Sequence, residues 1–166
     1  MKTMSLVDTL ALAAAIGSAL IGGAFFAFST FVMGALGKLP PPQGIAAMQS
    51  INLAVINPFF LGPFLGTALL CAGLAVVALL NWRDPGSACL LAGALLYALG
   101  TFVVTMVFNV PRNEALAKAT PDSAEAARLW ADYLVTWTAW NHVRTLAAIA
   151  ALASFVMALR LRVPAG

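Results

Sequence analysis

Charge is the scarcest property of this 166-residue chain: only 9% of its residues are Asp, Glu, Lys or Arg. Soluble domains carry about 25%, so most of this surface does not face water. Histidine occurs once and cysteine twice, with Cys71 and Cys89 far apart. No CxxC pair or zinc spacing can be assembled from them, and they read as small buried thiols. Four of the six acids (Glu114, Asp122, Glu125 and Asp132) crowd into one loop-like stretch, which excludes the Glu-x-x-His pairs of a di-iron bundle. There is no GxGxxG after a strand, no Walker loop and no GxSxG. The net charge of +3 is spread thinly, so no polybasic patch for nucleic acid exists. If the chain is an enzyme, its residues point to chemistry without a bound metal or other cofactor.

What is abundant is apolar: 62% of the chain, with a mean hydropathy of +0.94. A spanning helix needs about 20 apolar residues to cross about 30 Å of hydrocarbon. Residues 6–36, 58–80, 87–110 and 138–161 meet that requirement. Lipid cannot satisfy open backbone groups, and no two-residue alternation suggests a barrel. The expected architecture is all-α: one integral-membrane domain over 1–166, an antiparallel four-helix bundle with short interfacial helices on one side. Lys2 followed by "LALAAAIGSA" imitates a secretory leader, but the apolar run continues to Gly37 and includes Asp8, so an uncleaved first span is expected.

The connections differ in kind. "NWRDPGS" is a tight turn built on Asp84-Pro85-Gly86. Three prolines stop the first span, and residues 43–56 read as a short helix ended by Asn57-Pro58. Asp122 with Glu125 suggests a capping box for a helix that runs on into the fourth span. Ala14, Ser18 and Gly22, and likewise Gly62 and Gly66, offer small-residue faces for close helix packing. Such faces are compatible with a homo-oligomer without specifying one. Lys2, Arg83, Arg160 and Arg162 fall on one side, and Lys38, Arg112, Lys118, Arg128 and Arg144 on the other. If Arg112 and Arg144 are tucked into the bundle, the balance places both termini in the cytoplasm.

Up-down topology gathers the polar residues at one end. Gln49, Asn52 and Asn57 precede or open the second span, Asn109, Arg112 and Asn113 end the third, and Asn141 and Arg144 open the fourth. Trp130, Leu134, Trp137, Asn141 and Arg144 follow a helical spacing that puts them on one face, with Trp140 at its edge. Amides and guanidiniums at membrane depth turn inward, because facing lipid is costly. The expected pocket has Arg144, Asn141, Asn109 and Arg112 as its chemical groups, and Gln49, Asn52, Asn113, Trp137 and Trp140 as its binding wall. Blander readings stand beside it: an aromatic belt, amides bonding between helices, arginines snorkelling to headgroups. His142 points about 100° away from Asn141, off this face.

Three stretches in order, "MQSIN" with "NP", "FNVPRNEALA" and "WTAWNHVR", after "GAFFAFSTFVMGAL", resemble the anthrone oxygenase-like family of small four-span membrane proteins. The resemblance implies oxidation of an anthrone to an anthraquinone by molecular oxygen, with neither metal nor flavin. By that analogy Arg144 and Arg112 stabilise an oxyanion, Asn109, Asn113 and Asn141 orient oxygens, and Trp137 stacks on the substrate ring. The proton acceptor is either His142 or a water held by Asn141 and Arg144. The other reading is a membrane module that binds a small amphipathic molecule or a partner protein. The expected partners are a hydrophobic or aromatic small molecule and membrane lipid. Alanine-rich, arginine-over-lysine usage suits a GC-rich bacterium, hence a bacterial plasma membrane location.

Overall fold

The computed structural model describes residues 4–162; Lys2, which enters the charge balance above, lies outside them. Five helices account for almost all of that length: α1 (Leu6–Leu36), α2 (Pro41–Ala54), α3 (Pro58–Leu80), α4 (Ser87–Ala117) and α5 (Ala124–Arg162). Four of them, all but α2, are long and apolar enough to cross a membrane. This is an all-α membrane protein, and its helices α1, α3, α4 and α5 run antiparallel in sequence order. α5 packs against α1 and α4, and α3 against the same two from the opposite side.

Local chemistry sets the boundaries. Ser5 and Asp8 form a capping box at the start of α1, with Asp8 N–H donating to Ser5 Oγ at 3.2 Å. Gly37 and the following prolines end it, and Pro41 then occupies the first turn of α2, where a missing N–H costs nothing. Asn57 joins α2 to α3. Its Oδ1 accepts from the N–H of Phe59 and Phe60, at 3.0 and 3.1 Å, while its Nδ2 donates to the Ala54 carbonyl at 2.8 Å. The turn before α4 depends on Gly86, whose φ of +82° suits glycine.

Besides a two-residue shift of α2, expected at 43–56, two boundaries differ from the sequence expectation. α4 does not stop at residue 110 but continues through Pro111 to Ala117. Its backbone is π-helical over Leu96–Val103 and Thr105–Asn109. The i→i−4 ladder is therefore already interrupted where proline lacks its N–H, which lets the helix absorb Pro111. The start of α5 is capped by Ser123, whose Oγ accepts from Ala126 N–H at 3.1 Å, one residue after the expected Asp122.

Two apolar cores result. The larger holds Ile21, Phe25, Phe64, Leu74, Leu90, Tyr97 and Phe155, deep among the four long helices. Ala14, Ser18 and Gly22 are buried in the α1–α5 seam, whereas Gly62 and Gly66 face open space. At the far end of this bundle Asp8 pairs with Arg162 at 2.7 Å. The smaller core lies where α2 covers the first half of α5, joining Met33, Ile45, Met48, Leu116, Trp130, Tyr133 and Trp137. Gly44 permits that contact, since a Cβ there would come within 2.9 Å of the Trp130 ring.

Candidate functional site

Between the two cores sits Arg144, with 5% of its surface exposed. Its guanidinium lies between two rings, 3.8 Å from the Phe25 centroid and 4.8 Å from that of Trp137. Nε donates to Asn141 Oδ1 at 2.9 Å, and Nη1 makes a long contact to Thr105 Oγ1 at 3.4 Å. No carboxylate pairs with it: the ion pair among the described residues is Asp8–Arg162, at the other end of the bundle. A charge in such a place normally has an anionic partner. Here two aromatic faces and one amide oxygen substitute, each ring contributing about 0.5–2 kcal/mol.

Asn141 holds the arginine and is itself held. It is fully buried, and its Nδ2 donates to the Phe25 carbonyl at 2.8 Å and to Ser29 Oγ at 2.6 Å. Thr145 closes the loop, contacting Ser29 Oγ at 3.1 Å and donating to the Asn141 carbonyl at 2.7 Å. The amide is thus oriented from both ends, with its oxygen aimed at the guanidinium. Asn113, on α4, does similar work for the preceding turns of α5. Its Oδ1 accepts from Tyr133 OH and from Trp137 Nε1, both at 2.7 Å. Trp130, Tyr133 and Trp137 form a stacked row with centroids 5.6 and 5.7 Å apart. One face of Trp137 is therefore taken by Tyr133, and its ring also meets Arg144 and Phe28.

Asn109 is completely buried on α4, one turn beyond Thr105. Its Nδ2 donates to the Trp137 carbonyl at 3.1 Å, but its Oδ1 has no partner. Asn52 from α2 lies within hydrogen-bonding reach of the Tyr133 hydroxyl.

The remaining candidates are placed differently. Arg112 donates to Thr136 Oγ1 at 3.0 Å and to the Phe108 carbonyl at 2.6 Å, sharing no partner with Arg144. Thr136 in turn leans on Asp132. Gln49 fastens α2 to the end of α4 through the Leu116 and Ala119 carbonyls, at 2.8 and 3.1 Å. Trp140 stacks on Phe108 with centroids 3.6 Å apart, away from the guanidinium. His142 is exposed. Among the described residues, no three His, Cys, Asp or Glu side chains gather as a metal-ligand set.

A family model described as anthrone oxygenase matches residues 59–154, more than half of the chain. The chain belongs to the anthrone oxygenase family. The matched stretch carries α3, α4 and most of α5, and so contains Thr105, Asn109, Asn113, Tyr133, Trp137, Asn141 and Arg144. Phe25, Ser29, Gln49 and Asn52 precede it. No curated protein and no solved structure matches this anthrone oxygenase family member.

Five contributors to the site escape the sequence reading: Phe25, Ser29, Thr105, Tyr133 and Thr145. Spacing could have found three of them, since Tyr133 lies one turn before Trp137, Thr105 one turn before Asn109 and Thr145 one turn after Asn141. Phe25 carries no such signal, being one apolar residue within an apolar run.

Proposed function

We propose that the Arg144 cluster receives the oxyanion of a flat, phenolic or anthrone-like molecule, and that the protein oxidises it with dioxygen without a resident metal or flavin. The observation that carries this reading is a buried guanidinium with no carboxylate partner. Its charge is balanced only by ring faces and an amide oxygen, so an incoming anion would complete the site. A fixed donor aimed at developing negative charge, in a place that excludes water, is a strong form of electrostatic stabilisation.

The chemistry balances. An anthrone-like ketone loses a proton from its ring methylene to water, and the negative charge moves to the carbonyl oxygen facing Arg144. The same anion is electron-rich at the former methylene carbon, which reduces dioxygen and forms a C–O bond. The resulting hydroperoxide loses its remaining C–H proton as the O–O bond breaks, giving a second carbonyl and one water. Arg144 favours the anion, Asn141 keeps the guanidinium in plane, and the rings of Phe25 and Trp137 limit where it can move. Because both rings are engaged, substrate stacking on Trp137 requires Arg144 or Tyr133 to shift.

That close packing favours a second reading, a binding protein for an amphipathic anion that does not turn it over. One assay separates the two. The detergent-purified protein is mixed with emodin anthrone in air, and quinone absorbance and oxygen uptake are followed against the uncatalysed rate. Turnover that falls about 100-fold or more in a folded Arg144→Met variant supports the oxygenase, the usual scale for losing one preorganised donor. No rate above background, with binding retained, leaves the binding protein. Unchanged turnover in the variant would sink the anion-site assignment.

The same proposal includes a multi-pass plasma-membrane location with cytoplasmic termini. With Arg144 buried and Arg112 bonded to Thr136 and the Phe108 carbonyl, Lys2, Arg83, Arg160 and Arg162 on the termini side stand against Lys38, Lys118 and Arg128 on the other, a narrow excess that favours this orientation.

A further inference from the structure

Lipid tails are apolar, so exposed leucines on a spanning helix need no partner, and most of the outer surface of this bundle is of that kind. The seam between α1 and α5 differs. Gly22 brings the two helices together there, with Ala148 Cβ only 3.2 Å from the place a Cβ on Gly22 would take. Beside that contact lies a groove of about 250 Å³, floored by Ser18, Gly22 and Gly23 and walled by Phe26, Ile149 and Leu152. Gly23 faces open space, since no atom lies within 4 Å of where its Cβ would be. Ser18 is fully buried, and its hydroxyl has no hydrogen-bond partner. A hydroxyl in an apolar helix ordinarily bonds the carbonyl four residues back, as those of Thr30, Thr105, Thr145 and Ser154 do here. Ser18 leaves that bond unmade, and an unpaired buried hydroxyl is unfavourable.

We propose that this groove is a self-association face and that its occupant is α1 of a second copy of the chain. Two other occupants fit it less well. Small-molecule pockets measure about 300–1,000 Å³, so this one is undersized. An acyl chain could fill the groove but has no atom to pair with Ser18 Oγ. A helix supplies both bulk and backbone carbonyls, and α1 itself has the matching pattern. Leu12, Ile16, Ala19, Gly23, Phe26 and Thr30 recur at alternating spacings of four and three, and all are exposed, which is the seam of a helix pair. The middle of that seam is small, so two backbones can approach closely. Two copies inserted in the same sense are related by a two-fold axis along the membrane normal, which sets their α1 helices parallel with like residues level. Ala19 and Gly23 then meet their counterparts, Ile16 and Phe26 close the contact at either end, and Ser18 Oγ donates to a main-chain carbonyl of the second copy. Gly62 and Gly66 on α3 also face open space, but among the described residues no unpartnered hydroxyl accompanies them.

The test uses the full-length chain in vesicles of phosphatidylethanolamine and phosphatidylglycerol. For cross-linking, Cys71 and Cys89 are replaced by alanine, and thermal unfolding checks that this background folds. Oxidation with copper phenanthroline should give a dimer from Ala19→Cys and from Gly23→Cys, because a disulfide needs Cα atoms within about 7 Å. Gly66→Cys and Leu69→Cys on α3 should give none. Energy transfer between amino-terminally labelled copies, followed against the protein-to-lipid ratio, then reads the affinity. Gly23→Ile should weaken association at least tenfold while leaving the unfolding of the monomer unchanged, since the new side chain enters open space. Gly62→Ile should alter neither. Ser18→Ala should weaken association about threefold, the usual scale of one interhelical hydroxyl bond in a membrane. Cross-linking through α3 in place of α1, or association indifferent to either Gly23→Ile or Ser18→Ala, overturns the proposal. A chain that stays monomeric at every ratio overturns it too, and a phospholipid retained in its native mass spectrum would assign the groove to an acyl chain.

Discussion

Replacing Arg144 by methionine should leave the protein folded and remove the proposed turnover. The guanidinium is 5% exposed, and burying an ion of this kind costs several kcal/mol even after relaxation. Against that stand the two ring contacts at 3.8 and 4.8 Å, together about 1–4 kcal/mol, and the charge-assisted bond to Asn141, about 1.5–3 kcal/mol. The terms nearly cancel. Methionine is unbranched, fills the slot between Phe25 and Trp137, and regains about 0.3–1.5 kcal/mol per ring through its sulfur. It leaves Asn141 Oδ1 unpaired, at about 1–3 kcal/mol. The expected change in stability is within about 2 kcal/mol of zero. Arg144→Ala should instead lose about 3–5 kcal/mol, because it opens a cavity between two rings as well. Unfolding in detergent, followed by tryptophan fluorescence at fixed protein concentration, gives the ranking. Ligand adds a second readout: an anionic compound at 100 times its Kd should stabilise the wild type by about 2.7 kcal/mol and the methionine variant hardly at all. If methionine destabilises as much as alanine, the positive charge is holding the fold together, and the argument that it awaits an anion fails.

Two further outcomes test the scaffold around the site. Asn113→Leu strips the acceptor from Tyr133 OH and Trp137 Nε1, both bonded at 2.7 Å. It should cost about 2–4 kcal/mol in unfolding and change tryptophan emission, because two buried donors lose their partner; an unchanged melting point would show that Asn113 is not what orients these rings. Gly17→Ala places a Cβ against Thr67 Oγ1, at a contact between α1 and α3. It should cost about 1–3 kcal/mol, partly recovered in the Gly17→Ala/Thr67→Ala double variant, and no recovery would mean the overlap is not with Thr67.

The four long helices were readable because lipid imposes a length on each; the far end of α4 was misjudged, and the cap of α5 by one residue. Pro111 looks like a stop, and nothing in "TMVFNVPRNEALA" announces the π-helical backbone that carries the helix past it. The convergence of amides was readable for the same reason as the spans: polar side chains in an apolar helix have few places to go. Sequence could not rank them. Arg112 and Arg144 each sit three residues beyond an asparagine, yet the Phe108 carbonyl and Thr136 engage the first, while the second meets rings. Leu134 was expected on the shared face and its neighbour Tyr133 was not. The tyrosine is the more deeply buried because Asn113 offers its hydroxyl an acceptor and Trp130 and Trp137 stack on either side of it.

Depth explains why an unpaired arginine is tolerated here. Arg144 lies about 27 Å along α5 from Arg162, at 1.5 Å per residue, so the pair of residues brackets roughly one hydrocarbon thickness. An arginine at that level would ordinarily snorkel to headgroups and cost little. Three features prevent it. Phe25 and Trp137 clamp the guanidinium, Asn141 fixes its direction, and α2 closes over the Trp130–Tyr133–Trp137 row, latched to α4 by Gln49. A structural arginine needs no such confinement, because water and lipid phosphates would satisfy it for less. Such confinement is what the proposed function requires, a charge kept dry until a ligand with its own negative oxygen arrives. Under the proposed function, α2 is then the element that separates the row from the membrane surface, and loosening its Gln49 latch should open the site.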